Sequence, residues 1–240
     1  MRQSVRIAAG IHVRRTRDRI VLSQGGHVAS ALCLGRSTTG PVWDALAAPL
    51  VLLPPARRGR VLILGLAAGS VAHTVRRLAP NAEIVGVELD PQVVRAARRF
   101  FGLDRLRIET VVEDARLFLE RHTGLFDLVI EDMFLGSRDT LRKPDWLLGR
   151  GLALAARHLP PHGLMVSNVI GGFSAYEAAA ARVLPRVHSI RLRGYENRIV
   201  LAGRTLPAPR EVRRALAADP LIRPLVPRLA FRTVRATRPR

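Results

Sequence analysis

The 240-residue chain is 48% hydrophobic with a formal net charge of +20, yet Lys143 is the only lysine among its 39 basic residues. That imbalance, with abundant alanine, 5% aromatics and no nucleic-acid motif, reads as a bias of composition over the whole chain, so no specific nucleic-acid partner is expected. No apolar run approaches the roughly 20 residues of a membrane helix, and the one cysteine, Cys33, excludes an internal disulfide framework and a cysteine-built metal site.

Residues 1–20 alternate arginines with short apolar pieces and hold no signal-peptide core, which predicts a cytoplasmic protein with no membrane partner. Val5-Arg6-Ile7 and His12-Val13 hint at edge strands, and 19–34 reads as a hairpin turning at Gln24-Gly25-Gly26-His27. These edges suit pairing between two copies, which leaves a homodimer open without fixing the oligomeric state. A helix over 42–53 closes this region at Pro54-Pro55. The predicted organisation is a small β-rich N-terminal region over 1–56, a nucleoside-binding domain over 57–205, and a basic helix and tail over 206–240.

From Arg60 onward strands and helices alternate, which implies an α/β fold with a doubly wound, mostly parallel sheet of seven strands. The strands are placed at 61–64, 84–87, 106–111, 126–131, 164–169, 187–192 and 198–202, the last two antiparallel. Helices fall near 70–78, 91–101, 114–120, 146–158 and 176–184, with Pro91 well placed in a first turn. After Gly203 proline and arginine dominate. A helix is predicted over 210–218 and a poorly ordered tail from Arg223 to Arg240.

The organising stretch is VLILGLAAGSVAHTV, residues 61–75. A buried strand runs into a turn free of bulky side chains at Gly65, Ala67 and Gly69, then into a helix, and the next strand ends in Glu88. Such a unit brings a helix N-terminus and backbone N–H groups to a nucleoside, with an acid to accept from both ribose hydroxyls. The turn is Gly-x-Ala-x-Gly, not the dinucleotide pattern. In an open α/β sheet the ligand lies beyond the carboxyl ends of the strands. Glu88, Glu113, Asp114, Glu131, Asp132, Ser167 and Asn168 are the polar residues there. Asp90 and Asp114 both precede helices and suit the N-cap. Asp90 is assigned that role, whereas Glu88, Asp114 and Asp132 are assigned to a ligand.

VLILGLAAGSVAHTV, VELDPQVV, VVEDARLFL, FDLVIED and ENRIVLAG together resemble the polyamine aminopropyltransferases, the spermidine synthase family. The resemblance covers about residues 19–203 and implies the fold of class I S-adenosylmethionine-dependent methyltransferases. It implies S-adenosylmethionine or its decarboxylated form as co-substrate and a small-molecule acceptor. Position by position, Gly65, Ala67 and Gly69 fall in the cofactor loop. Glu88, with Leu89 beside it, matches the ribose acid, and Asp114, with Ala115, the adenine acid. Asp132 matches the base after the fourth strand.

The departures lie in the acceptor half. Where the family reads Gly-Gly-Gly-Asp-Gly-Gly, this chain has Leu66, Ala67, Ala68 and Ser70, so Ala68 replaces an acid. Asp-Ser-Ser-Asp becomes Asp132-Met133-Phe134-Leu135, and Tyr-His-Glu becomes Val42-Trp43-Asp44. A dicationic acceptor needs matched carboxylates to leave water. The expectation is therefore a nucleoside-dependent transferase with a less charged acceptor. Two alternatives stay open. In one, polyamine transfer persists with acids from Asp44, Glu131 or Asp139. In the other, a basic binding module has kept only the fold.

Overall fold

The computed structural model describes residues 3–36 and 38–234. The N-terminal stretch forms four antiparallel strands, β1 (Gln3–Ala8), β2 (Ile11–Arg15), β3 (Arg19–Gln24) and β4 (His27–Cys33), lying side by side in chain order. Ile11, Val13, Ile20 and Leu22 alternate inward and are buried, which places one face of this sheet on the core. Cys33 is half-buried and its thiol donates to the Thr39 carbonyl. Helix α1 (Pro41–Ala47) follows and tightens into a 3₁₀ turn over Ala48–Leu52.

The second sheet contains β5 (Arg60–Leu64), β6 (Glu83–Glu88), β7 (Glu109–Val112), β8 (Leu128–Glu131), β9 (Leu164–Val169), β10 (Arg186–Leu192), β11 (Arg198–Gly203) and β12 (Leu229–Val234). Its spatial order is β12-β10-β11-β9-β8-β5-β6-β7; β7, β6, β5, β8 and β9 run parallel and the rest pair antiparallel. The connecting helices are α2 (Ser70–Leu78), α3 (Pro91–Ala96), α4 (Ala115–Arg121), α5 (Leu152–Arg157), α6 (Phe173–Val183) and α7 (Pro209–Ala218). Widened π-type turns over Ala97–Phe101 and Leu147–Gly151 extend α3 and precede α5.

Strand parity sorts the side chains onto two faces. Val61, Ile63, Leu128, Ile130, Leu164 and Val166 join the core shared with the N-terminal sheet, α1 and α2. Leu62, Leu64, Val129, Met165 and Val169 join the core under α4, α5 and α6. Near-continuous apolar strands buried on both faces are what a covered parallel sheet requires.

The sheet has eight strands where seven were expected, because the segment read as a loose tail is ordered up to Val234. Arg223–Arg228 forms a 3₁₀ turn with Leu225 and Val226 buried, and β12 pairs with β10, Leu192 facing Leu229 and Val187 facing Val234. Arg232 reaches the buried Glu177 at 2.6 Å. Counting arginines hid the short apolar elements between them; residues 235–240 of that expected tail lie outside the described residues. The strand expected at 106–111 begins only at Glu109, because Leu103–Leu106 is a 3₁₀ turn and Arg107 is left-handed at φ 49°. Among the described residues no helix is long and apolar enough to cross a membrane.

Candidate active site

β5 is where the strand order reverses: β6 and β7 lie on one side, β8 and β9 on the other. The crevice beyond the carboxyl ends of β8, β5, β6 and β7 is therefore the place where this topology accepts a ligand. Gly65 begins the turn there. Its φ is +83°, and an added Cβ would stand 2.7 Å from the Asp132 carbonyl oxygen, so only glycine lets the two strand ends approach. Gly65 and Leu66 both donate to the Val87 carbonyl, at 3.0 and 2.9 Å. Ala67 is left-handed at φ 46°, unusual for an alanine, and its N–H is held at 2.8 Å by Glu88 Oε2.

The turn residues that depart from the family pattern point inward. Leu66 is buried and packs over Gly86, where a Cβ would meet its side chain at 2.7 Å. Ala68 has no exposed surface and donates its N–H to Ser30 Oγ at 2.9 Å. Ser70 Oγ donates to the Ala31 carbonyl at 2.7 Å and accepts the Ala31 N–H at 2.8 Å. The edge of β4 is thus clamped onto the turn. Ala68 is thereby enclosed beside β4.

Glu88 accepts from Ala67 N and, through Oε1, from Asp90 N at 3.0 Å. Burial pushes its carboxyl up, and these backbone donors pull it back. Each oxygen keeps a lone pair. The next side chain, Leu89, is 59% exposed. Asp90 caps α3 through Gln92 N (2.8 Å) and Asp114 caps α4 through Arg116 N (2.7 Å). Asp114 gives the helix only Oδ1; Ala115 is the first residue of that helix.

Asp132 is strongly perturbed by its surroundings. Burial raises its pKa to about 7 against the opposing pull of Lys143 and of the Asn168 amide, and the adjacent Glu131 pushes it further up. Asn168 Nδ2 donates to Asp132 Oδ1 at 2.7 Å. Glu131 points to the other face of the sheet and is fully buried, accepting from Lys143 Nζ at 2.6 Å, from Met133 N at 2.9 Å and from the Tyr176 hydroxyl at 2.8 Å. Tyr176 lies 2.7 Å from Ser167 Oγ as well, and burial beside Glu131 keeps the phenol protonated. Of the acids held in reserve for an acceptor, Asp44 is bound to Thr39 N, Gly40 N and Thr74 Oγ1, Glu131 to Lys143, and Asp139 is exposed.

The rim thus carries Asp132, the Gly65–Gly69 turn, Glu88 and Asp114 in that order across four adjacent strands. Surface clefts lined by Cys33, His73 and Arg77, and by Arg95, Arg99 and Phe100, share no residue with it. Sequence reasoning placed Asn168 on this rim without pairing it to Asp132, and did not bring Lys143 to Glu131. Standing alone among arginines was the signal that Lys143 offered.

Residues 47–141 match the spermine/spermidine synthase domain. A polyamine aminopropyltransferase of Chromobacterium violaceum is 30% identical over 128 residues, 52% of this chain and 47% of that relative. The chain therefore spans about half the length of that curated relative. A probable spermidine synthase of Corynebacterium glutamicum superposes with a TM-score of 0.76 at 21% identity, covering 97% of this chain and 91% of that one. Human methyltransferase-like protein 13, solved in complex with SAH, superposes with a TM-score of 0.66 at 20% identity, over 77% of this chain and 93% of that one. At these identities the two structures show a shared fold, that of Rossmann-like methyltransferases.

Proposed function

We propose that the chain is a transferase that binds S-adenosylmethionine or its decarboxylated form along this rim and hands a group to a small acceptor beside Asp132. One observation carries the reading. The Glu88 carboxylate clasps the strained Ala67 N–H at the switch point, so the acid and the glycine turn form one preorganised edge. With adjacent strands about 4.8 Å apart, the rim from Asp132 to Asp114 spans roughly 14 Å, the reach of an adenosine carrying a short sulfonium chain. Glu88 holds the ribose hydroxyls with its remaining lone pairs. Leu89 covers an adenine face, and the spare Asp114 oxygen accepts from the adenine amino group. SAH in the human neighbour supports a nucleoside of this class.

A sulfonium supplies an activated leaving group, so the chain has mainly to orient the acceptor and exclude water. Asp132, ionised above neutrality, takes the proton from the attacking amine or hydroxyl. Met133 and Phe134 make that side of the rim apolar, which suits an acceptor of low charge.

Titration calorimetry with methylthioadenosine and with S-adenosylmethionine tests the nucleoside half. Binding is expected with Kd below about 1 mM; if neither ligand binds, the fold serves as a binding module. The 30% identical relative favours a second reading, aminopropyl transfer to a diamine. Robust turnover with decarboxylated S-adenosylmethionine and putrescine would establish that reading and remove the low-charge acceptor. β1, an edge strand, offers a surface for pairing two copies, which sedimentation measures.

A further inference from the structure

Lys143 is enclosed. Its side chain is 8% exposed against 0% for Glu131, and among the described residues no other ion pair is buried on both sides. Nζ donates to Glu131 Oε1 at 2.6 Å and to the Met133 carbonyl at 3.0 Å, and stands 4.1 Å from the centre of the Phe134 ring. Tyr176 closes a further side, its ring centre 5.9 Å away. A carboxylate, a carbonyl and aromatic faces are the complete coordination of a primary ammonium. A guanidinium, planar with five fixed donors, does not fit a hole of that shape. In a chain that uses arginine for every other cation, lysine stands where the hole demands it.

The loop does not need this ammonium to close. Leu135 and Arg142 exchange backbone hydrogen bonds of 2.8 and 3.0 Å at its base, and Arg138 N donates to the Gly25 carbonyl at 2.9 Å near its tip. A buried ion pair is also a poor route to stability, since apolar residues of equal volume do as well.

We infer that Glu131, the Met133 carbonyl and the Phe134 ring form a primary-ammonium site that the chain fills with its own Lys143. What this does to acceptor choice rests on the transferase reading above. Of the two carboxylates at the end of β8, Glu131 turns to the far face and is neutralised there by Lys143, so Asp132 alone is left to meet an acceptor. A diamine needs more than one carboxylate to leave water, so the site is confined to acceptors bringing at most one positive charge.

Thermal unfolding of the full chain tests the site without any assay of activity. Lys143→Ala strands a buried carboxylate, and its melting temperature is expected to fall by about 10 °C. Millimolar n-propylammonium, whose three carbons and nitrogen replace the Cγ-to-Nζ atoms that alanine lacks, should recover at least half of that loss. Sodium chloride at matched ionic strength and tetramethylammonium, which has no N–H, should recover none. Wild type and Lys143→Met, whose side chain fills the slot, should not respond. The inference is overturned if n-propylammonium does no more than salt for Lys143→Ala, if all three proteins respond alike, or if Lys143→Ala stays unfolded with and without the amine. Calorimetry of wild type with methylthioadenosine is a separate readout. Its failure removes the transferase reading and leaves the amine result standing.

Discussion

Asn168 Nδ2 donates to Asp132 Oδ1 across 2.7 Å, and Asn197 Nδ2 holds Asn168 Oδ1 at 2.8 Å. The second bond fixes which way the Asn168 amide faces, so the donor side is committed to the carboxylate. Two neutral amides thus aim Asp132 without neutralising it. A carboxylate held this way at about 7 is matched to proton transfer near neutral pH.

The first expectation is an acid limb in kcat/KM near pH 7, with activity rising as Asp132 ionises. Asn168→Ala removes a donor that favours the charged form, and the limb moves to higher pH. Asp132→Asn lowers kcat by about 10²–10⁴-fold. A limb near pH 4 in wild type would assign the base to another group.

Stability should respond to the same proton with the opposite sign. The folded pKa, about 7, lies above the ordinary 3.8, so the folded state binds more protons between those values. Stability from this group is therefore greatest below pH 4 and is lost as pH rises through 7. Asp132→Asn should be more stable than wild type at pH 8, by on the order of 2 kcal/mol, and no more stable than wild type at pH 4. Denaturant titrations at the two pH values measure this directly.

Glu88 and Asp132 divide the work differently. Glu88→Ala loses charge-assisted hydrogen bonds to the ribose, and nucleoside affinity should weaken by about 10–100-fold. Asp132→Asn should leave that affinity within about threefold while impairing turnover. Calorimetry on both variants decides the matter. Equal losses of affinity contradict the division of roles.

Much of this architecture could be read from residues alone, for physical reasons. Val61–Leu64 and Ile84–Val87 are short apolar runs bounded by turns, and Ser70–Leu78 switches to helical spacing; local pattern and tertiary fold agree there. What local pattern does not carry is which distant groups meet. Glu131, at the end of a strand, and Lys143, in the loop beyond it, are twelve residues apart and look unrelated until the backbone of Leu135 and Arg142 pairs. The clamp of Ser70 on Ala31 joins residues 39 apart, and only the docked N-terminal sheet explains why a serine stands there. β12 was missed because six arginines outweighed the alternation of Leu229 and Phe231.

Ser70→Ala tests that clamp. Ser70 is 2% exposed, and its hydroxyl serves both the N–H and the carbonyl of Ala31. Deleting it leaves two backbone groups buried without a partner, at a cost of about 1–3 kcal/mol. Hydrogen exchange at Ala31 should speed up more than exchange in β8. Uniform acceleration across both sheets would mean that the clamp carries no local stability.

Gly65 and Ala67 are both left-handed, two residues apart, and predict opposite responses. Gly65→Ala adds a Cβ at 2.7 Å from the Asp132 carbonyl oxygen, and neither backbone can retreat without breaking the strand pairing. The strained φ and the collision together should cost roughly 2–5 kcal/mol. Ala67 already bears its Cβ in that conformation, held there by the 2.8 Å bond to Glu88. Ala67→Gly removes the steric strain but gives the unfolded chain more freedom, so the net gain should be about 0.5–1 kcal/mol at most. Removing Glu88 takes away what holds the strain, and Ala67→Gly should then stabilise Glu88→Ala more than it stabilises wild type. A double-mutant cycle by urea denaturation reads this coupling. Strict additivity would show that the turn keeps its shape without the acid, and that the two are not one preorganised edge.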